Sequence, residues 1–119
     1  MVLRIFYVYG LIDPATSEVR YVGKTHRVLR DRYDEHVRGA CPATRQWVRS
    51  LGEPPGLVIL HTAPEGQMRV KGHSVPISVS TFAETKWIKR FSRTVINARK
   101  RDSSPHTWDW LVNPDEEQT

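Results

Sequence analysis

Cysteine is nearly absent from this chain of 119 residues: Cys41 stands alone. No intrachain disulfide and no cysteine-based metal cluster can therefore form. Such usage fits a reducing cytoplasm, with Cys41 read as a small buried hydrophobe rather than a nucleophile. Long apolar runs are also lacking, and none approaches the roughly 20 residues that cross a bilayer, so a membrane is not expected as a partner. The opening Met1-Val2-Leu3-Arg4-Ile5-Phe6 lacks the basic, apolar, small-residue order of an export signal and reads as a first strand. No internal repeat, low-complexity tract or linker divides the sequence. The expectation is one domain over residues 1–113, followed by a frayed acidic tail over 114–119. Hydrophobic residues at 39% and charged residues at 26% are the balance of a folded domain, which excludes a wholly disordered chain.

Positive charge is in excess, with 18 Lys and Arg against 13 Asp and Glu. It is also concentrated: Lys86, Lys89, Arg90, Arg93, Arg99, Lys100 and Arg101 crowd one stretch. A concentrated positive surface attracts polyanions by counterion release and steering. A solvated helix face explains the same charges, and charge alone does not choose between the two.

Residues 2–12 alternate at period two and are rich in β-formers. Asp13-Pro14-Ala15-Thr16-Ser17 supplies turn chemistry and Glu18–Val22 resumes a strand, so a hairpin is predicted. In an even register Tyr7, Tyr9, Tyr21 and Gly23 share one face, an arrangement that serves packing as readily as a site. Residues 28–38 change to helical spacing, with Leu29, Tyr33 and Val37 directed at the core and Gly39 as C-cap. Arg32 and His36, one turn apart, lie together beside that stripe. A second helix is predicted over 44–51, with Trp47, Val48 and Leu51 inward, and Gly52-Glu53-Pro54-Pro55-Gly56 ends it. Residues 57–61 read as a short, central strand. Between 64 and 80 the pattern allows a small hairpin around Gly72 or a loop. Ser80 or Thr81 then caps a helix from Phe82 to about Ser92, with Trp87, Ile88 and Phe91 as its apolar stripe. Val95-Ile96-Asn97 is read as extended, and Trp108, Trp110, Leu111 and Val112 as packing back on the domain.

Glu84 falls on the buried side of an otherwise basic helix. A buried carboxylate needs a partner, which a metal ion or an arginine would supply. A charge favoured by the helix dipole is the other reading of Glu84.

Taken in order, Ile5-Phe6-Tyr7, Tyr21-Val22-Gly23-Lys24-Thr25, Arg32-x-x-x-His36, Ala83-Glu84-Thr85-Lys86-Trp87-Ile88 and Asn97 resemble the GIY-YIG nuclease superfamily. The resemblance runs from about residue 4 to residue 97. It departs from the family pattern in the Ile-Phe of the first triplet and in a longer stretch between Gly23 and Arg32, which leaves His26 and Arg27 without a place. A segment over 65–80, carrying Lys71 and His73, looks inserted; it either touches substrate or is a plain surface loop.

The resemblance implies an α+β fold, a three-stranded antiparallel sheet (the N-terminal hairpin plus a third strand) flanked by helices. It implies an endonuclease hydrolysing DNA phosphodiester bonds around one divalent ion, Mg²⁺ with Mn²⁺ as a substitute, at the metal-binding Glu84. Tyr7 and Tyr21 match the signature tyrosines, one of which holds or deprotonates the attacking water, its pKa lowered by the metal, Lys24 and Arg32. Arg32 neutralises charge developing on phosphate, and His36 bonds a signature tyrosine or the phosphate. Lys24, Lys86, Lys89, Arg90 and Asn97 are the expected nucleic-acid-binding and ordering residues. So small a domain depends on backbone contacts, so weak sequence preference is expected; the strandedness of the DNA stays open. Two other readings are carried: a nucleic-acid-binding module of the same fold without catalysis, and a subunit, homodimeric or in a larger complex, that cuts only when assembled. A mobile-element, phage or repair setting is usual for such proteins.

Overall fold

Asp13 turns the chain back on itself. Its carboxylate accepts from the backbone N–H of Ala15 (2.8 Å) and Thr16 (3.3 Å), while Ser17 takes a φ of 65°. An aspartate bonding the backbone ahead of it is the side-chain form of a turn. The turn joins β1 (Ile5–Ile12) to β2 (Val19–Thr25) as an antiparallel hairpin, with a register irregularity between Leu11 and Ile12. The computed structural model describes residues 4–72 and 74–97. The predicted Trp108, Trp110, Leu111 and Val112 cluster, the acidic tail and His73 lie outside these residues.

After the hairpin come α1 (Leu29–Val37), α2 (Pro42–Ser50), β3 (Gly56–Pro64), the two-residue strands β4 (Gln67–Met68) and β5 (Ile77–Ser78), and α3 (Val79–Arg90). The fold is α+β: β2-β1-β3 form a three-stranded antiparallel sheet, with helices on both faces. The central strand is β1. The sequence had placed residues 57–61 at the centre, yet among the described residues β3 pairs only with β1 and is an edge of the sheet. Its open side leaves Leu57 and Ile59 exposed.

Alternation along β1 divides the core in two. Phe6 and Val8 join Val22, Ala83, Ile88 and Val95 on the α3 side. Tyr9, Leu11 and Tyr21 pack against Leu29 and Tyr33 of α1 and Trp47 of α2 on the other. On α1 two of the three residues predicted to face the core, Leu29 and Tyr33, do pack against it, but they are not the most deeply buried. Leu29, Tyr33 and Val37 are only half-buried, and the buried residue is His36.

The segment 64–80 is a hairpin, with Gln67 opposite Ser78 and Met68 opposite Ile77. It delivers the chain into α3 earlier than predicted. Ser78, rather than Ser80 or Thr81, is the N-cap, and its hydroxyl accepts from the N–H of Thr81 at 3.2 Å. α2 likewise starts sooner than predicted because Pro42 suits the first helical turn, where its missing N–H leaves no bond unmade. Among the described residues no helix is long and apolar enough to cross a membrane.

Candidate functional site: a tyrosine, histidine and arginine cluster beside Glu84

The site grows from β1 and β2. Tyr9 stands opposite Gly23, and Leu11 opposite Tyr21, so the two tyrosines sit on one face of the hairpin with ring centroids 6.4 Å apart. Gly23 makes room for them. A Cβ there would lie 2.6 Å from the Tyr9 hydroxyl and 2.9 Å from Cε2 of Tyr21.

One turn of α1 brings Arg32 and His36 onto this pair. Tyr9 and His36 are both 0% exposed, and the Tyr9 hydroxyl lies 2.8 Å from His36 Nε2. Arg32 Nε donates to the same hydroxyl at 3.2 Å. His36 Nδ1 meets the hydroxyl of Thr44, from α2, at 2.7 Å. Thr44 is also fully buried, so α2 serves the site by closing the far side of the imidazole.

Burial governs the protonation states. Burial first, and then the positive charge of Arg32, depress the His36 pKa to about 4, against a smaller pull from Glu35. His36 is therefore neutral near pH 7. Burial and the neighbouring Tyr21 raise the Tyr9 pKa above that of a free phenol, although Arg32 works the other way. Tyr21 is raised as well, by burial and then by the carboxylate of Glu84. In the protein alone Tyr21 is thus raised, so the lowering expected for a signature tyrosine needs more than Arg32 supplies. One guanidinium does not offset the loss of solvation around two buried phenols.

Glu84 is 9% exposed on the buried face of α3. Among the described residues no three His, Cys, Asp or Glu side chains gather into a metal cage. A single buried carboxylate ligand is still compatible with Mg²⁺, which keeps several waters and shares phosphate oxygens rather than requiring a cage of protein ligands. The donor chemistry therefore fits the implied ion.

Tyr7 is not part of this cluster. It lies opposite Thr25, beyond Tyr9 along the strand, and makes none of the bonds that join Tyr9, Arg32 and His36. The tyrosine partnering Tyr21 is Tyr9. The signal was present in the sequence, since Tyr9 shares the parity of Tyr7 and Tyr21, but parity alone cannot say which tyrosine stands level with Gly23.

Lys24 points to the opposite face of the sheet. Its ammonium donates to Ser80 Oγ (3.0 Å) and Thr81 Oγ1 (2.8 Å) in the first turn of α3. A cation is unfavourable at a helix N-terminus, and these hydroxyls together with Glu65 offset it. Glu65 accepts from the Ser80 hydroxyl, from the Ser80 N–H at 3.1 Å, and pairs with His26 at 2.5 Å. This carboxylate, whose role the sequence did not announce, ties the 65–80 segment to the end of β2. Arg27 is placed as well: it forks onto Glu35 at 2.9 and 3.1 Å, and Glu35 also accepts from Arg32 at 3.1 Å.

Asn97 bonds the backbone of Val22 from both ends of its carboxamide, Nδ2 to the carbonyl at 2.7 Å and Oδ1 from the N–H at 3.5 Å. It behaves as a one-residue strand on the open edge of β2, holding the segment between Tyr21 and Gly23. Lys86 and Arg90 lie on the outer side of α3, over the rings of Phe82 and Trp87, and Lys89 follows on the same basic helix.

Comparison of the chain with protein-family models, with curated proteins and with solved structures finds no match.

Proposed function

We propose that this chain is a divalent-metal-dependent endonuclease that hydrolyses DNA phosphodiester bonds with low sequence specificity, in a reducing, cytoplasmic setting. One observation carries the reading. Tyr9, Tyr21, Arg32 and His36, drawn from two strands and a helix, converge on one cluster, and the carboxylate of Glu84 acts on Tyr21. The ordered resemblance to GIY-YIG nucleases supports the same reading, with Tyr9 taking the place first given to Tyr7.

Glu84 would hold the Mg²⁺, which when bound supplies positive charge to the phosphate oxygens and counters the push of Glu84 on Tyr21. The remaining roles belong to the protein. Tyr21, less buried than Tyr9 and closer in charge to Glu84, orients the attacking water. Tyr9 stands behind it, its hydroxyl donating a hydrogen bond to the neutral imidazole of His36. Arg32, whose charge faces both phenols, stabilises the negative charge that grows on phosphate. Lys86, Lys89 and Arg90 draw in the backbone of the strand.

The test is cleavage of labelled single-stranded and duplex DNA with Mg²⁺ by wild type and by Glu84→Ala. Cutting that requires Mg²⁺ and is lost in the variant supports the nuclease. If wild type binds both DNAs and cuts neither, with Mg²⁺ or Mn²⁺, the binding-module reading replaces it.

A further inference from the structure

The face of α3 turned away from Glu84 borders a cleft of about 380 Å³, walled on its other side by His61 of β3 and Met68 of β4. Its α3 wall presents Phe82, Lys86, Trp87 and Arg90, which recur at helical spacing and so share one face. The aromatic rings are held differently. Trp87 stacks on Phe91 with centroids 5.8 Å apart and planes 17° from parallel, and both pack against the core. Phe82 is half-buried near the start of the helix, with Lys86 Nζ 5.3 Å from its centroid. The Arg90 guanidinium is 5.5 Å from the Trp87 ring. Among the described residues that line this cleft none is acidic, and its charged side chains, Lys86 and Arg90, are both cations.

We propose that this cleft binds an unpaired nucleotide of a single DNA strand, the base stacking on Phe82 and its phosphates meeting Lys86 and Arg90. The proposal rests on the nuclease reading only in taking DNA as the polyanion. A duplex keeps its bases stacked inside, so only an unpaired strand can offer one to a cleft. Stacking of a base on an aromatic ring is worth more than an exposed cation–π contact. A base arriving at Phe82 therefore displaces the Lys86 ammonium from the ring, and the freed ammonium meets the phosphate of the same nucleotide. An acidic peptide would satisfy the cations and leave the rings unused, which is why a nucleotide strand fits the whole surface better.

The experiment is equilibrium anisotropy in EDTA, where nothing is cut. The probes are a fluorescein-labelled oligothymidylate of about twelve nucleotides, an abasic strand of equal phosphate count, and a matched duplex. Oligothymidylate is expected to bind about tenfold more tightly than the abasic strand. Phe82→Ala should remove that difference and Phe82→Tyr should keep it, with circular dichroism reporting that both variants are folded. Lys86→Ala should weaken both single strands alike. Equal affinity for the thymidylate and abasic strands overturns the proposal. So does Phe82-dependent binding of duplex as tight as that of the single strand, or no strand binding at all. Because Mg²⁺-dependent cleavage and its loss in Glu84→Ala are read separately, a protein that stacks bases without cutting, or cuts without stacking, is recognised as such.

Discussion

The Tyr9 hydroxyl lies 2.8 Å from Nε2 of His36, and neither side chain is reached by solvent. Arg32 Nε–H can only donate to the phenol oxygen, so the Tyr9 proton is directed at Nε2. A neutral imidazole accepting at Nε2 carries its proton on Nδ1, 2.7 Å from Thr44 Oγ1. The bonds thus run in one direction, from Arg32 through Tyr9 and His36 to Thr44. Thr44→Val should leave the buried Nδ1–H unsatisfied at a cost of about 1–3 kcal/mol, and should slow any cleavage, whereas Thr44→Ser should behave as wild type. Urea unfolding gives the first quantity, and nitrogen chemical shifts of the imidazole give the tautomer. Unchanged stability in Thr44→Val, with the proton still on Nδ1, would sink the argument.

The same burial makes stability depend on pH. The His36 pKa is about 4 in the folded protein and about 6.5 in an unfolded chain. Between these values the unfolded state binds the proton and the folded state does not, so stability falls as pH drops from 6.5 toward 4 and this contribution then levels off. The loss amounts to at most about 3 kcal/mol. Glu65 acts in a lower window. Burial works against its charge, but bonds from Ser80 and His26 hold its pKa at about 2, so its contribution is lost only below the ordinary carboxylate range. Urea midpoints measured at several pH values from 7 to 4 should fall steadily. A flat profile across that range contradicts the assignment of a neutral, buried His36.

Gly23 cannot carry a side chain without moving both tyrosines. A Cβ would sit 2.6 and 2.7 Å from Oη and Cζ of Tyr9 and 2.9 Å from Tyr21. These are stiff rings, and His36 and Arg32 close the space behind Tyr9. Gly23→Ala should therefore cost about 1–3 kcal/mol as an overpacked core does, and should abolish cleavage while DNA binding in EDTA persists. Wild-type turnover in this variant would show that the ring positions do not matter.

Gly23 also shows how far the sequence could be read. The Tyr21-Val22-Gly23 triplet, the hairpin turn at Asp13 and the one-turn spacing of Arg32 and His36 are local patterns, and they pointed to the hairpin and to three of the four members of the cluster. What they could not give is register. Tyr7 and Tyr9 have the same parity, and only the pairing of Tyr9 with Gly23 separates them. Nor could the apolar stripe of α1 foretell a buried His36, because the hydroxyls that satisfy it come from β1 and α2, remote in the chain. β3 looked central because its β run seemed short and compact, yet it extends over Gly56–Pro64 and two of its apolar residues, Leu57 and Ile59, are exposed. Glu65 escaped notice for the same reason as Thr44: its partners are His26 and Ser80, 39 and 15 residues away.

Glu35 holds Arg32 in place and at the same time opposes what Arg32 is proposed to do. Its carboxylate accepts from Arg32 Nη1 at 3.1 Å and from both terminal nitrogens of Arg27. Arg27 first and Arg32 second hold its pKa down at about 2, so it is ionised at neutral and mildly acidic pH. An anion beside the guanidinium fixes the plane in which Arg32 presents its remaining donors, and repels an approaching phosphate. The two effects should separate in Glu35→Gln. Removing the charge should tighten DNA binding in EDTA at low salt, where such exposed charges are least screened. Losing the anchor should slow single-turnover cleavage by about tenfold, because an interaction made in the transition state is lost without a loss of ground-state binding. Binding and cleavage that shift together in the same direction would mean that Glu35 acts only through the local field. If neither changes, the Arg27–Glu35–Arg32 network has no part in positioning Arg32.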